Sequence, residues 1–158
     1  MAAGWASIIG PSNHTIDLDG RIIIPQRMRE WLGQRFVVTR GIEKCLWLLP
    51  EGVFDRVTSQ WSDPLSLLDR GSRMLDWRFV GQAVRVQPDK QFRIVIPQEL
   101  KQSAALSNEL IILGLPNRAE VWDLDTWREH EAKLSDTEVQ SALDSKMRPE
   151  GPPAEQAA

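Results

Sequence analysis

The chain has 158 residues, 42% of them apolar and 26% charged, which suits one domain of ordinary size, or two small interlocked ones, around a packed core. No run approaches the roughly 18 consecutive apolar residues of a membrane span, and the opening MAAGWASIIGPSN has neither the basic region nor the long apolar stretch of a signal peptide. Cys45 is the sole cysteine, which excludes an internal disulfide and a cysteine-based zinc site and fits a reducing, cytoplasmic setting.

In chain order, a short strand runs into the polar turn Asp17-Leu18-Asp19-Gly20 and a β-branched strand follows at residues 21–24, a pattern that predicts a β-hairpin. Pro25 then fixes φ at the first position of a helix, where its missing N–H costs nothing. Met28 and Trp31 or Leu32 fall at helical spacing behind Ile24, and Gly33 ends the helix. Residues 36–39 and 45–49 read as strands, with a turn between them at 40–44. A helix then carries Phe54, Val57 and Trp61 on one face.

Residues 63–80 hold Leu65, Leu67, Leu68, Met74, Leu75, Trp77 and Phe79, too many apolar groups for a flexible linker, so a packed helix or an interface element is expected. The pattern then starts again, with strands near 83–87, 93–96, 110–113 and 119–122 and helices from Pro97 and from about Leu124. The last ten residues or so, ending RPEGPPAEQAA, carry three prolines and little to bury, and are expected to be disordered.

That second pass is a copy of the first. IDLDGRIIIPQRM at residues 16–28 aligns with PDKQFRIVIPQEL at 88–100 at a constant offset of 72, matching Asp17 to Asp89, Arg21 to Arg93, Ile22 to Ile94 and Pro25 to Pro97. After one inserted residue the offset becomes 73, matching Gly41 to Gly114, Leu48 to Val121 and Phe54 to Trp127. Short strands punctuated by short helices, twice over, predict an α+β fold built around a β core. The expected division is an N-terminal segment (1–13), a first unit (14–60), an apolar helical connector (61–82), a second unit (83–134), and a C-terminal helix end with a disordered acidic, proline-containing tail (135–158).

The net charge of −3 hides a local imbalance. Residues 20–40 hold five arginines (Arg21, Arg27, Arg29, Arg35, Arg40) against Glu30, whereas the matching stretch 92–112 is balanced and the tail from Leu134 on carries −3. A basic patch on the first copy suits a nucleic-acid partner.

With its Asp-x-x-x-Arg turn, apolar triplet and proline, found twice, the chain resembles the MraZ family, bacterial tandem AbrB-like (SpoVT-AbrB) regulators encoded with division and cell-wall genes. The resemblance spans about residues 13–134 and rests on HTIDLDGRIIIP, the Thr39-Arg40-Gly41 turn, CLWLLP, DKQFRIVIP and the strand pair between Gly114 and Trp122. It implies two AbrB-like hairpin units paired as an intramolecular pseudo-dimer, chains assembled into rings, and hairpins that face repeated sites in the protein's own promoter, usually to repress it. Two features depart from that pattern. Phe92 stands where the first turn has Gly20, which makes a left-handed backbone harder to adopt, and the segment before His14 lacks the family's Phe-x-Gly-like start.

A two-stranded ribbon fits the major groove, and an arginine leaving its turn can reach guanine O6 and N7 or clamp a phosphate. An aspartate four residues earlier would orient that guanidinium. The expected DNA-binding set is therefore Asp17, Arg21, Arg27, Arg29, Arg40, Lys90 and Arg93, with Asp17–Arg21 and Asp89–Arg93 as oriented pairs and Arg27, Arg29 and Arg40 on phosphates. The tryptophans fall on apolar stripes and read as core or interface, with Trp61, Trp77 and Phe79 as ring contacts; Cys45 reads as a buried thiol.

The expected partners are double-stranded promoter DNA and further copies of the chain, with nucleoid association. No membrane, small-molecule substrate, cofactor or metal is expected. An enzyme is not: His14 and His130 are the only histidines and lie in non-equivalent places, no phosphate loop or nucleophile elbow is present, and Asp17-x-Asp19-Gly20 lacks the further ligands of a calcium loop. A protein-binding oligomeric scaffold is the alternative, but it gives no reason for the arginine imbalance. An AbrB-like antitoxin typically uses one copy and a toxin-binding tail, and this tail has little apolar surface.

Overall fold

The computed structural model describes residues 8–149, so the tail expected to be disordered lies almost wholly outside the described residues. In the first copy the elements are β1 (Gly10–Thr15), β2 (Arg21–Ile23), α1 (Gln26–Leu32), β3 (Phe36–Arg40), β4 (Leu46–Pro50) and α2 (Glu51–Ser59). The connector holds a 3-10 turn (Ser66–Leu68), α3 (Arg70–Leu75) and a π-helical turn (Asp76–Val80). The second copy follows with β5 (Val84–Val86), β6 (Arg93–Val95), α4 (Gln98–Ser103), β7 (Glu109–Leu115), β8 (Arg118–Asp123) and α5 (Leu124–Ala132), then α6 (Asp136–Met147). One compact body runs through Trp127, and the chain from Arg128 on forms a second, small unit.

The two strands flanking each aspartate turn do not pair with each other. β1 lies antiparallel on β7, and β5 lies antiparallel on β3, so each copy lends its first strand to the sheet of the other. β2 pairs with β6 in a separate two-stranded ribbon, Ile22 opposite Ile94. The larger sheet has the order β1-β7-β8-β4-β3-β5, which reads the same from either end once the copies are interchanged. The expected α+β core with pseudo-two-fold symmetry is thus present, whereas the local hairpins are replaced by an exchange. The reason lies in the apolar pattern. Ile22 and Ile94 are both buried, and pairing β2 with β6 places them together in one core with Ile24, Ile96, Met28, Leu32 and Leu100. Each such side chain contributes roughly 1.5–3 kcal/mol by leaving water.

The copies correspond with one more slip than the sequence match suggests. Leu110 lies opposite His14 as Phe36 lies opposite Val86, so β3 maps onto β7 at an offset of 74. From β4 to β8 the offset returns to 73, because Phe36 faces Pro50 in the first copy and Leu110 faces Asp123 in the second. A slip of one residue turns every side chain of a strand to the other face. Phe36 and Val38 share the central core with Leu110 and Ile112, and that shared burial dictates the register. Gly114, opposite Gly10 at the edge pairing, is there for space: a Cβ would meet the Ile8 carbonyl oxygen at 1.6 Å.

On the pseudo-axis the two copies differ. Trp47 of β4 faces Glu120 of β8. Glu120 is buried, and it accepts from the Trp47 indole (3.2 Å), the Trp122 indole (2.9 Å) and Arg118 Nε (2.8 Å). Three donors on one carboxylate offset the cost of burying its charge. The connector covers the neighbouring surface: Phe79 stacks on Trp47 at 5.3 Å, Thr39 donates to the Phe79 carbonyl, and Arg78 donates to the carbonyls of Gly41 and Ile42. Cys45 is buried as expected, which pushes its thiol well above the ordinary range.

In the second unit, Ser135 opens α6 by accepting the N–H of Glu138. The S-x-x-E pattern marks that helix start in the sequence.

Replacing Glu120 with Ala removes the buried acceptor shared by the Trp47 and Trp122 indoles and Arg118 Nε. The variant is expected to lose about 2–4 kcal/mol, read by urea unfolding at neutral pH; Glu120→Gln, which keeps an acceptor in place, is expected to lose less. Equal stability of Glu120→Ala and the parent would show that the carboxylate holds nothing together.

Candidate nucleic-acid interface

Both aspartate turns are closed by the same bonds. Asp17 Oδ1 accepts from the backbone N–H of Asp19 and of Arg21, each at 2.9 Å, while Gly20 N–H donates to the Asp17 carbonyl at 3.0 Å. Asp89 Oδ1 likewise accepts from Gln91 N–H at 2.8 Å and Arg93 N–H at 3.0 Å, and Phe92 N–H donates to the Asp89 carbonyl at 2.9 Å. The last turn residue then reaches across to the other copy: Gly20 O accepts from Ile96 N–H at 2.8 Å, and Phe92 O accepts from Ile24 N–H at 2.9 Å.

Both of these residues have a left-handed backbone, with φ +76° at Gly20 and +60° at Phe92. The second turn therefore adopts the conformation that its missing glycine was expected to hinder. Arg29 stabilises it, with its guanidinium 3.8 Å from the centre of the Phe92 ring and its Nε donating to Ile24 O at 3.0 Å.

The structure distributes the expected site residues unevenly. Asp17, Arg21, Lys90 and Arg93 belong to the two turns and the ribbon between them. Arg29 touches this assembly through Phe92. Arg27 donates to the carbonyls of Gly10 and Pro11 at 2.9 and 2.7 Å, fastening the start of β1. Arg40 stands at the end of β3, where its charge acts on Arg78 and, after burial itself, contributes to holding the Arg78 pKa below the ordinary guanidinium range. The oriented pairs also differ. Arg93 Nε meets Asp89 Oδ2 at 3.0 Å as expected, but the Arg21 guanidinium turns to Asp19 at 3.2 Å, a carboxylate that the second turn, with Gln91 in its place, does not offer. Arg21 spends one Nη and Arg93 its Nε on these pairs. Each side chain keeps further donors of its five for a ligand.

On the ribbon, Arg21 stands across from Val95 and Ile23 across from Arg93. Ile22 and Ile94, one residue along, face the core, so Arg21, Ile23, Arg93 and Val95 share the outer face. The half-exposed Ile23 and Val95 were not singled out from the sequence; their place in apolar triplets reads as core, and only the strand pairing shows that they point outward. At the turn tips Leu18 is fully exposed and corresponds to Lys90, so the two arms are chemically unequal. Among the described residues no group of three His, Cys, Asp or Glu side chains could hold a metal ion, and no helix is long and apolar enough to cross a membrane.

Residues 8–76 and again 79–147 match the family described as "MraZ protein, putative antitoxin-like". The chain belongs to the MraZ family. A protein of Symbiobacterium thermophilum named "Transcriptional regulator MraZ" is 34% identical over 137 residues, covering 85% of this chain and 99% of its own length. Proteins of the same name from Bifidobacterium longum (37% over 126 residues, 80% and 83% covered) and Caldanaerobacter subterraneus (33% over 140 residues, 87% and 97% covered) match as well. The MraZ duplication thus encompasses both aspartate turns and both ribbon strands.

The backbone N–H of Arg93 is the first of several donors that hold the Asp89 carboxyl below the usual carboxylate range, against a smaller push upward from desolvation. A carboxyl depressed in the folded state stabilises the fold above its unfolded pKa and loses that contribution as pH falls through its lowered range. Asp89→Ala is therefore expected to be less stable than the parent at about pH 7, with the gap closing as Asp89 is protonated in acid. Urea unfolding across that range reads the gap; one that stays constant with pH would mean the carboxylate is not held by the turn.

Proposed function

We propose that this chain is a sequence-specific DNA-binding transcriptional regulator, a repressor of the division and cell-wall operon that encodes it, acting at the nucleoid in the cytoplasm. The observation that carries this reading is the placement of Arg21 and Arg93 at diagonally opposite corners of the outer face of one antiparallel ribbon, each at the exit of an aspartate-clamped turn. A two-stranded ribbon is of a size to enter the major groove, and a guanidinium there can bond guanine O6 and N7 in parallel. The relatives carry a regulator's name rather than an enzyme's. Lys90 at the second tip adds a phosphate contact, while Arg27 and Arg29 serve first as braces that hold β1 and the second turn in position.

One chain offers only this small patch, so affinity under physiological salt requires several chains on repeated promoter sites, joined in a ring. The connector supports self-association. Leu65, Leu67, Leu68, Met74 and Trp77 are exposed there, beside an apolar cleft of about 260 Å³ lined by residues that include Ile42, Phe54, Val57, Leu75 and Phe79. Of the aromatic contacts anticipated for a ring, Trp77 is the exposed one; Trp61 donates to Asp76 and Phe79 is stacked on Trp47.

The test is binding to a DNA fragment from upstream of the protein's own gene over a range of salt, with sedimentation of the same samples. Saturable binding that weakens with salt is expected, from an assembly larger than a dimer. Arg21→Ala and Arg93→Ala should each weaken it by roughly fivefold to more than a hundredfold, and Lys90→Ala should lower the salt slope by about one. Folded, assembled protein that binds no DNA at low salt would leave an oligomeric protein-binding scaffold as the function.

A further inference from the structure

We propose that Ile23 and Val95 read thymine, each packing against a C5-methyl group in the major groove beside the guanine contacts of Arg21 and Arg93; this rests on the DNA-binding reading above. Both side chains are β-branched and apolar, yet they remain 48% and 53% exposed on the outer face of the ribbon. Their partners in the apolar triplets, Ile22 and Ile24 in one copy and Ile94 and Ile96 in the other, are buried. The exposure is thus particular to these two positions, and it occurs twice, at places related by the pseudo-two-fold.

The setting selects the occupant. Across the strands Arg21 stands beside Val95 and Arg93 beside Ile23, so each aliphatic side chain has a guanidinium as its cross-strand neighbour. Directly opposed positions place Cβ atoms roughly 4.5–5.5 Å apart, and base pairs stack at about 3.4 Å. A guanidinium on guanine thereby puts its aliphatic neighbour over an adjoining base pair. The thymine methyl is the apolar group on the major-groove edge, and aliphatic side chains recognise it by contact. Three paired residues span about 10 Å, which is roughly three base-pair steps. The ribbon therefore reads a short element in which guanine and thymine adjoin, on a face whose corner guanidinium groups keep spare N–H donors that favour a nucleic acid over an apolar protein partner.

Deoxyuridine lacks only the methyl group of thymidine, so it isolates this contact. Fluorescence anisotropy would compare the upstream duplex with one in which every thymine of the bound site is replaced by uracil, using the full chain and the double variant Ile23→Ala, Val95→Ala. The parent protein is expected to bind the uracil duplex about three- to fivefold more weakly per contacted methyl. In the double variant the two duplexes should bind alike, since the interaction term of such a cycle vanishes when its partner is gone. Thermal melting checks that the variant is folded, and the comparison in the parent stands without it. Equal binding of the two duplexes by the parent overturns the proposal, as does an undiminished preference in a folded double variant; the outward pair would then serve strand formation or a protein surface. Salt-sensitive binding to both duplexes with no thymine preference overturns only this inference. No binding to either overturns the DNA reading and this one with it.

Discussion

Two backbone hydrogen bonds, from Ile96 N–H to Gly20 O and from Ile24 N–H to Phe92 O, tie each aspartate turn to the strand end of the other copy. The residue that supplies each carbonyl is left-handed, with φ +76° at Gly20 and +60° at Phe92. The two bonds flank the β2–β6 ribbon, so Arg21 and Arg93 share one face of it rather than standing on two separate hairpins. Exchange of β1 and β5 between copies completes the arrangement and places Ile22, Ile94 and their neighbours in one core instead of two small ones. A unit of about 50 residues would bury too little surface to be secure alone; two that share strands avoid that limit.

Much of this was legible in the chain. The duplication, the helices opened by Pro25 and Pro97, the end of α1 at Gly33, and the strands around Val37 and Val121 follow from periodicity and turn chemistry. The exchange was not, because a strand, an Asp/Gly turn and a strand make the same pattern whether the second strand pairs locally or with a distant copy. The slip between β3 and β7 was hidden for a related reason: a glycine match is visible in sequence, whereas the burial of Leu110 and Ile112 that decides the register is not. At the candidate site, the turns and their arginines were readable from spacing. The choice of Arg21 for Asp19 follows from a second carboxylate in the first turn, where the second turn has Gln91, and it breaks the symmetry that the repeated Asp-x-x-x-Arg spacing suggests. Arg27 and Arg29 read from the sequence as phosphate contacts, and only their bonds to the Gly10, Pro11 and Ile24 carbonyls show them bracing the scaffold.

Covalent linkage lets the two copies diverge where a homodimer could not. Where the first turn has Gly20 the second has Phe92, whose ring lies against the Arg29 guanidinium, and the tips carry Leu18 in one arm and Lys90 in the other. On the axis Trp47 meets Glu120. Two second copies pairing with each other would bring two buried carboxylates face to face, where both cannot remain charged at tolerable cost. The unlike pair therefore favours union of a first copy with a second.

The exchange of strands also orders events during synthesis. β1 leaves the ribosome early, yet its partner β7 begins at Glu109, and β2 waits for Arg93 to Val95. At roughly 5–20 residues per second, the first half of the chain remains without its edge partners for several seconds. The earliest strand made is among the last to be paired, so a nascent first copy presents an open β edge to its surroundings until the second copy emerges to close it.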